Sequence, residues 1–124
     1  MAVNLFVYGT LKRGYCRDRF LDDQRFVKVA QAKPLYRLYD AFGSYPALVE
    51  ESDGVSVAGE VWEVDELCLR VLDQVEGVSQ ELYERRAIEL IDWNDEDVLA
   101  YFYLQSTQGM ADCGTSWPPA KGSG

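Results

Sequence analysis

Two short segments carry residue types that could do chemistry. The first is Tyr8-Gly9-Thr10-Leu11-Lys12-Arg13-Gly14, an apolar run ending in a glycine turn. Gly9 and Gly14 stand at the GxxxxG spacing of a phosphate loop, which must continue with Lys and then Ser or Thr. Tyr15 and Cys16 follow instead, so the phosphate lysine and the magnesium hydroxyl are missing. What remains is a turn whose consecutive backbone N–H groups could point one way and bind an anion, a carboxylate included. The plainer alternative is an ordinary strand–turn junction. The second segment is Leu72-Asp73-Gln74-Val75-Glu76-Gly77. Glu76 falls at the C-terminal end of a helical pattern, where the helix dipole disfavours an anion by roughly 0.3–1 kcal/mol. That field, with any burial, raises a carboxyl pKa toward neutrality and suits it to acid–base work. The plainer alternative is a solvated Glu at a frayed helix end. Asp73, one turn earlier, reads as surface.

Composition sharpens this choice. The 124 residues include no histidine. Ser-His-Asp triads, Cys-His dyads and His-ligated metals are therefore excluded, and proton transfer falls to a carboxylate, Tyr, Lys or Cys. Cys16, Cys68 and Cys113 are an odd, sparse set with neither metal-clip nor CxxC spacing, which fits a reducing compartment. Cys68 lies in an apolar helical pattern and reads as core, whereas Cys16 and Cys113 could be exposed thiols. No apolar run approaches the ~18 residues of a membrane helix, and no signal peptide is evident. The chain therefore reads as cytoplasmic, with no membrane partner. Net charge is −9, from 21 acidic and 12 basic side chains. Residues 1–37 hold 8 basic and 3 acidic groups, but the basic ones are scattered and the whole would repel a phosphate backbone. No nucleic-acid partner is expected.

The elements that must position these segments follow from apolar patterning. Val3 to Tyr8 reads as a buried strand, Gly9 to Gly14 as a turn, and Asp18 to Asp23 as a short helix. Phe26 to Ala32, Leu35 to Tyr39 and Ala47 to Val49 read as extended, with Phe42 to Pro46 a loop and Asp53-Gly54 a turn. Val55 to Val64 alternates. Asp65 is a good N-cap for a helix whose apolar face is Leu67, Val71, Leu72 and Val75, stopped by Gly77. Leu82 to Ile91 and Val98 to Leu104 read as strands around an acidic turn at 94–97. Of the aromatics on the last strand, Tyr101, Phe102 and Tyr103 read mostly as core. Tyr45 and Tyr83 are candidates for a pocket wall with a hydrogen-bonding tip. Residues 108–124 read as an irregular tail with a frayed end. About six strands and one main helix, without regular βαβ alternation, predict an α+β domain with a mixed or barrel-like sheet.

Taken together, the chain resembles the γ-glutamylcyclotransferase-like, or AIG2-like, superfamily, nearest its γ-glutamylamine cyclotransferases and bacterial relatives. The resemblance rests on Phe6 to Gly14, on Gly59-Glu60-Val61-Trp62-Glu63-Val64-Asp65, on Leu72 to Gly77 and on Leu82-Tyr83-Glu84-Arg85-Arg86. It spans residues 3–104 in order and spacing. Val75 departs from it, because many relatives place an aromatic there. The resemblance implies a small mixed barrel flanked by helices, and a single domain over 1–124. It implies that Glu76 is the acid–base residue and that the turn Tyr8, Gly9, Thr10 and Leu11 holds the glutamyl head group. The implied reaction cyclises a γ-glutamyl group to 5-oxoproline and releases the attached amine. The substrate is a small γ-glutamyl molecule, with no metal or cofactor required. Monomer and homodimer both remain open. The alternative is a non-catalytic binding module on the same fold.

Overall fold

The computed structural model describes residues 2–15, 17–93 and 97–118. Its main sheet has five strands in the order β2-β5-β1-β7-β6: Arg25–Gln31, Ala58–Val64, Val3–Val7, Val98–Tyr103 and Tyr83–Ile88. Pairing is antiparallel except between β1 and β7, where Asn4 lies beside Val98 in parallel. The sheet is therefore mixed, as the lack of βαβ alternation predicts. A smaller sheet joins β4 (Tyr45–Glu50), β3 (Tyr36–Ala41) and β8 (Ala111–Asp112). Among the described residues the strands do not close into a barrel.

Alternation along β1 explains the layering, because successive side chains face opposite sides of a strand. Phe6 points to a core shared with Leu38, Leu48 and Phe102, so the small sheet covers that face. Leu5 and Val7 point to a second core with Leu69 and Leu72 of the helix α1 (Glu66–Val75). The helix thus lies on the opposite face of the main sheet. Asp65 caps α1 as predicted, its carboxylate accepting from the Cys68 N–H at 2.8 Å.

The helix face differs from the sequence pattern. Leu67 is 73% exposed and Val71 43% exposed, whereas Leu69 and Leu72 are buried. The buried residues are Leu69 and Leu72, and the half-buried Glu76 continues their stripe at the spacing i, i+3 and i+7. Glu76 therefore belongs to the inward face, and that register carries it into the protein. Three other expectations fail locally. Tyr45 and Pro46, expected in a loop, open strand β4, where Tyr45 pairs with Ala41 and Pro46 with Asp40. The tail is not irregular throughout: Ala111 and Asp112 pair with β3, and Trp117 is buried in the core beneath. Cys113 is buried rather than exposed, while Cys68 is only half-buried. Cys16, residues 94–96 of the acidic turn and the end of the tail from residue 119 lie outside the described residues.

Candidate active site

β1 runs out at Val7 into a turn that the sequence builds tightly. Lys12 N–H donates to the Gly9 carbonyl at 3.0 Å, closing a β-turn over residues 9–12. The N–H groups of the two central residues, Thr10 and Leu11, are not used by such a closure. The turn is fixed from three sides. Arg17 N–H donates to the Thr10 carbonyl at 2.8 Å. Lys12 Nζ donates to the Trp117 carbonyl at 2.7 Å. Glu60 on β5 accepts from the Arg13 N–H and from Arg13 Nε, each at 3.1 Å, and from Trp62 Nε1 at 3.1 Å. Glu60 is 8% exposed, so its carboxylate is spent inside the fold on these donors. Gly9 is required here. A Cβ built on it would lie 2.3 Å from Pro46 Cγ and 2.9 Å from Cδ, an approach that no side chain permits.

Glu76 closes the opposite wall. It is the C-cap of α1, its N–H donating to the Leu72 carbonyl at 2.9 Å, and Gly77 at φ 66° turns the chain away. That left-handed conformation favours glycine. Tyr8, Gly9, Thr10, Leu11, Tyr45, Glu76 and Tyr83 all line one pocket. The structure thus brings together every residue singled out from the sequence. Sequence reasoning missed Arg17 and Pro46 in the same lining and treated Tyr101 as core. Tyr101 is nearly all buried, yet it also faces this cavity. The Gly9–Pro46 packing was invisible because β4 and the turn are distant in sequence.

The electrostatics follow from burial. Burial pushes the Glu76 carboxyl up from 4.5 to about 7, and the Arg17 guanidinium opposes this. Desolvation is the main cause, in line with the burial expected at this helix end. Burial likewise raises Tyr8, with Tyr83 and Glu76 adding to the effect, and raises Tyr83, with Glu76 and other tyrosines adding. These phenols stay protonated, and their protons are committed. Tyr8 OH donates to the Tyr101 carbonyl and Tyr83 OH to the Pro46 carbonyl. A hydroxyl spent as donor offers only lone pairs to a ligand. Behind the site, Asp73 accepts from Tyr101 OH at 2.7 Å and from Arg85 Nε and Nη2 at 2.7 and 2.9 Å. Asp73 is therefore a structural clamp between α1, β6 and β7, not a free surface acid.

These features define a class: a mixed-sheet protein with one carboxyl, tuned near neutrality, facing a turn with spare backbone donors. A family model described as "Gamma-glutamyl cyclotransferase, AIG2-like" matches residues 5–118. The chain belongs to this family, as the motif resemblance indicates. It is 45% identical over 85 residues to a Vibrio cholerae protein named "Putative gamma-glutamylcyclotransferase", covering 68% of this chain and 70% of that one. It is 32% identical over 116 residues to gamma-glutamylaminecyclotransferase A of Danio rerio, covering 86% and 71%. Among solved structures, an AIG2-like protein from Mus musculus superposes with a TM-score of 0.69 at 29% identity, covering 82% of this chain and 76% of that one. No helix of the described residues is long and apolar enough to cross a membrane.

Proposed function

We propose that this protein cyclises the γ-glutamyl group of a small substrate to 5-oxoproline and releases the attached amine, with Glu76 as general acid and base and no cofactor. The observation that carries the reading is a carboxyl of pKa about 7 in one pocket with the Tyr8–Leu11 turn. The spare N–H groups of Thr10 and Leu11 bind the substrate's α-carboxylate. The α-ammonium meets Glu76 and the lone pairs of Tyr8 and Tyr83. Glu76 takes its proton, and the freed nitrogen attacks the γ-carbonyl carbon. Closure is intramolecular, so held geometry supplies much of the acceleration. The tetrahedral intermediate collapses as the γ C–N bond breaks and Glu76 returns the proton to the leaving nitrogen. The ring nitrogen, still NH2+ after its attack, gives its surplus proton to the departing amine by the same carboxylate. Two protons thus pass in turn from the α-nitrogen to the leaving nitrogen, the amine departs as ammonium, and no water is consumed. A pKa near 7 lets the same group do both at neutral pH. The free thiols Cys68 and Cys113 support a cytoplasmic setting.

The test is incubation with γ-glutamyl-alanine, γ-glutamyl-ε-lysine and γ-glutamyl-ethylamine, reading 5-oxoproline and free amine. Equal molar appearance of both products supports the proposal. Binding without product from any member would leave a non-catalytic module and overturn it.

A further inference from the structure

Among the described residues the pocket lining holds one cationic side chain, and the reaction outlined above does not use it. Arg17 lines the cavity beside Glu76. Its backbone is pinned to Thr10, which starts the side chain next to the anion-binding turn. Six other arginines each hold a carboxylate: Arg13, Arg25, Arg37, Arg70, Arg85 and Arg86. Among the described residues no hydrogen bond, ion pair or ring contact holds the Arg17 guanidinium, and the carboxyl it acts on is that of Glu76, whose ionised form it favours. In a chain of net charge −9, a half-buried guanidinium left unpaired in a pocket is a place kept for an anion.

We propose that Arg17 reads a carboxylate on the leaving amine. The substrates would then be γ-glutamyl amino acids, in preference to γ-glutamyl derivatives of plain alkylamines. The inference rests on the cyclotransferase reading and deepens it. The pocket has two separate anion-binding features, the turn and the guanidinium. A γ-glutamyl amino acid carries two carboxylates, and a γ-glutamylalkylamine carries one. The turn takes the α-carboxylate of the glutamyl head. Glu76 must reach the leaving nitrogen, so the group on that nitrogen lies on the Glu76 side, within the field of Arg17. A carboxylate one carbon beyond the nitrogen meets the guanidinium there.

The experiment compares γ-glutamyl-alanine with γ-glutamyl-ethylamine. The two match in carbon skeleton except for the carboxylate. kcat/KM is measured for the wild type, Arg17→Gln and Arg17→Lys, and affinities by calorimetry on the Glu76→Gln background. A charge-assisted contact predicts a wild-type preference for γ-glutamyl-alanine of roughly ten- to a hundredfold. Arg17→Gln should bring the ratio near one, mainly through KM, and Arg17→Lys should restore part of it. Equal wild-type affinities overturn the inference, as does an Arg17→Gln loss equal for both compounds, which would mean that Arg17 acts only on Glu76 or on the head group. If neither compound is turned over but the affinity ratio depends on Arg17, the cyclotransferase reading fails while the carboxylate site stands.

Discussion

Replacing Glu76 by Gln should shift the protein's stability in its favour by an amount that grows with pH. The folded state holds the Glu76 proton to about 7, while the unfolded chain releases it near 4.5. Because the pKa is raised on folding, the unfolded state sheds its proton first. Stability therefore falls as pH rises from about 4.5 to about 7 and is level beyond. A displacement from 4.5 to about 7 corresponds to a penalty of about 3 kcal/mol at pH 8 and about 1 kcal/mol at pH 5. Gln carries no charge at either pH. The gain on Glu76→Gln should thus be about 2 kcal/mol larger at pH 8 than at pH 5, whatever the amide itself costs in that pocket. The chain suits the measurement because it has no histidine to titrate in this window, and three tryptophans report unfolding. Urea titrations of both proteins, followed by fluorescence at the two pH values, give the four free energies. A difference that is the same at pH 5 and pH 8 would refute the reasoning, since it would mean that the carboxyl ionises as freely in the fold as outside it.

Other consequences follow from the same geometry. kcat/KM should rise through about pH 7, as the carboxylate forms, and Arg17→Gln should move that limb to higher pH, because Arg17 favours the ionised form. Gly9→Ala forces Pro46 back and should destabilise the protein by about 1–3 kcal/mol in urea while lowering kcat/KM. Asp73→Ala strips both Arg85 and Tyr101 of their acceptor, with an expected loss of about 1–3 kcal/mol in denaturant titration. Leu67→Lys should change stability by less than about 0.5 kcal/mol, since the side chain is exposed.

Much of the site was legible because its parts are local. The turn after β1 announces itself by Gly9 and Gly14, and the two ends of α1 by Asp65 and Gly77. These fix where Glu76 sits along the chain. Which way Glu76 faces was not legible. The apolar count favoured a face through Leu67 and Val71, but the sheet accepts Leu69 and Leu72, and that register turns Glu76 into the pocket. Long-range contacts were the second blind spot. Pro46 against Gly9, Trp117 holding Lys12, and Asp73 between Arg85 and Tyr101 all join segments far apart in sequence. Each looked like loop, tail or surface when read alone. The eighth strand is two residues long, too short for any period to mark it.

The central claim is that Glu76 moves the proton in ring closure. It is tested most directly by the rate of 5-oxoproline formation from γ-glutamyl-alanine by the wild type and by Glu76→Gln, with folding of both verified by the urea titrations above. A steady wild-type rate and a loss of roughly a hundredfold or more in kcat for the folded variant are the predicted result. A folded Glu76→Gln protein that forms 5-oxoproline at the wild-type rate would contradict the account.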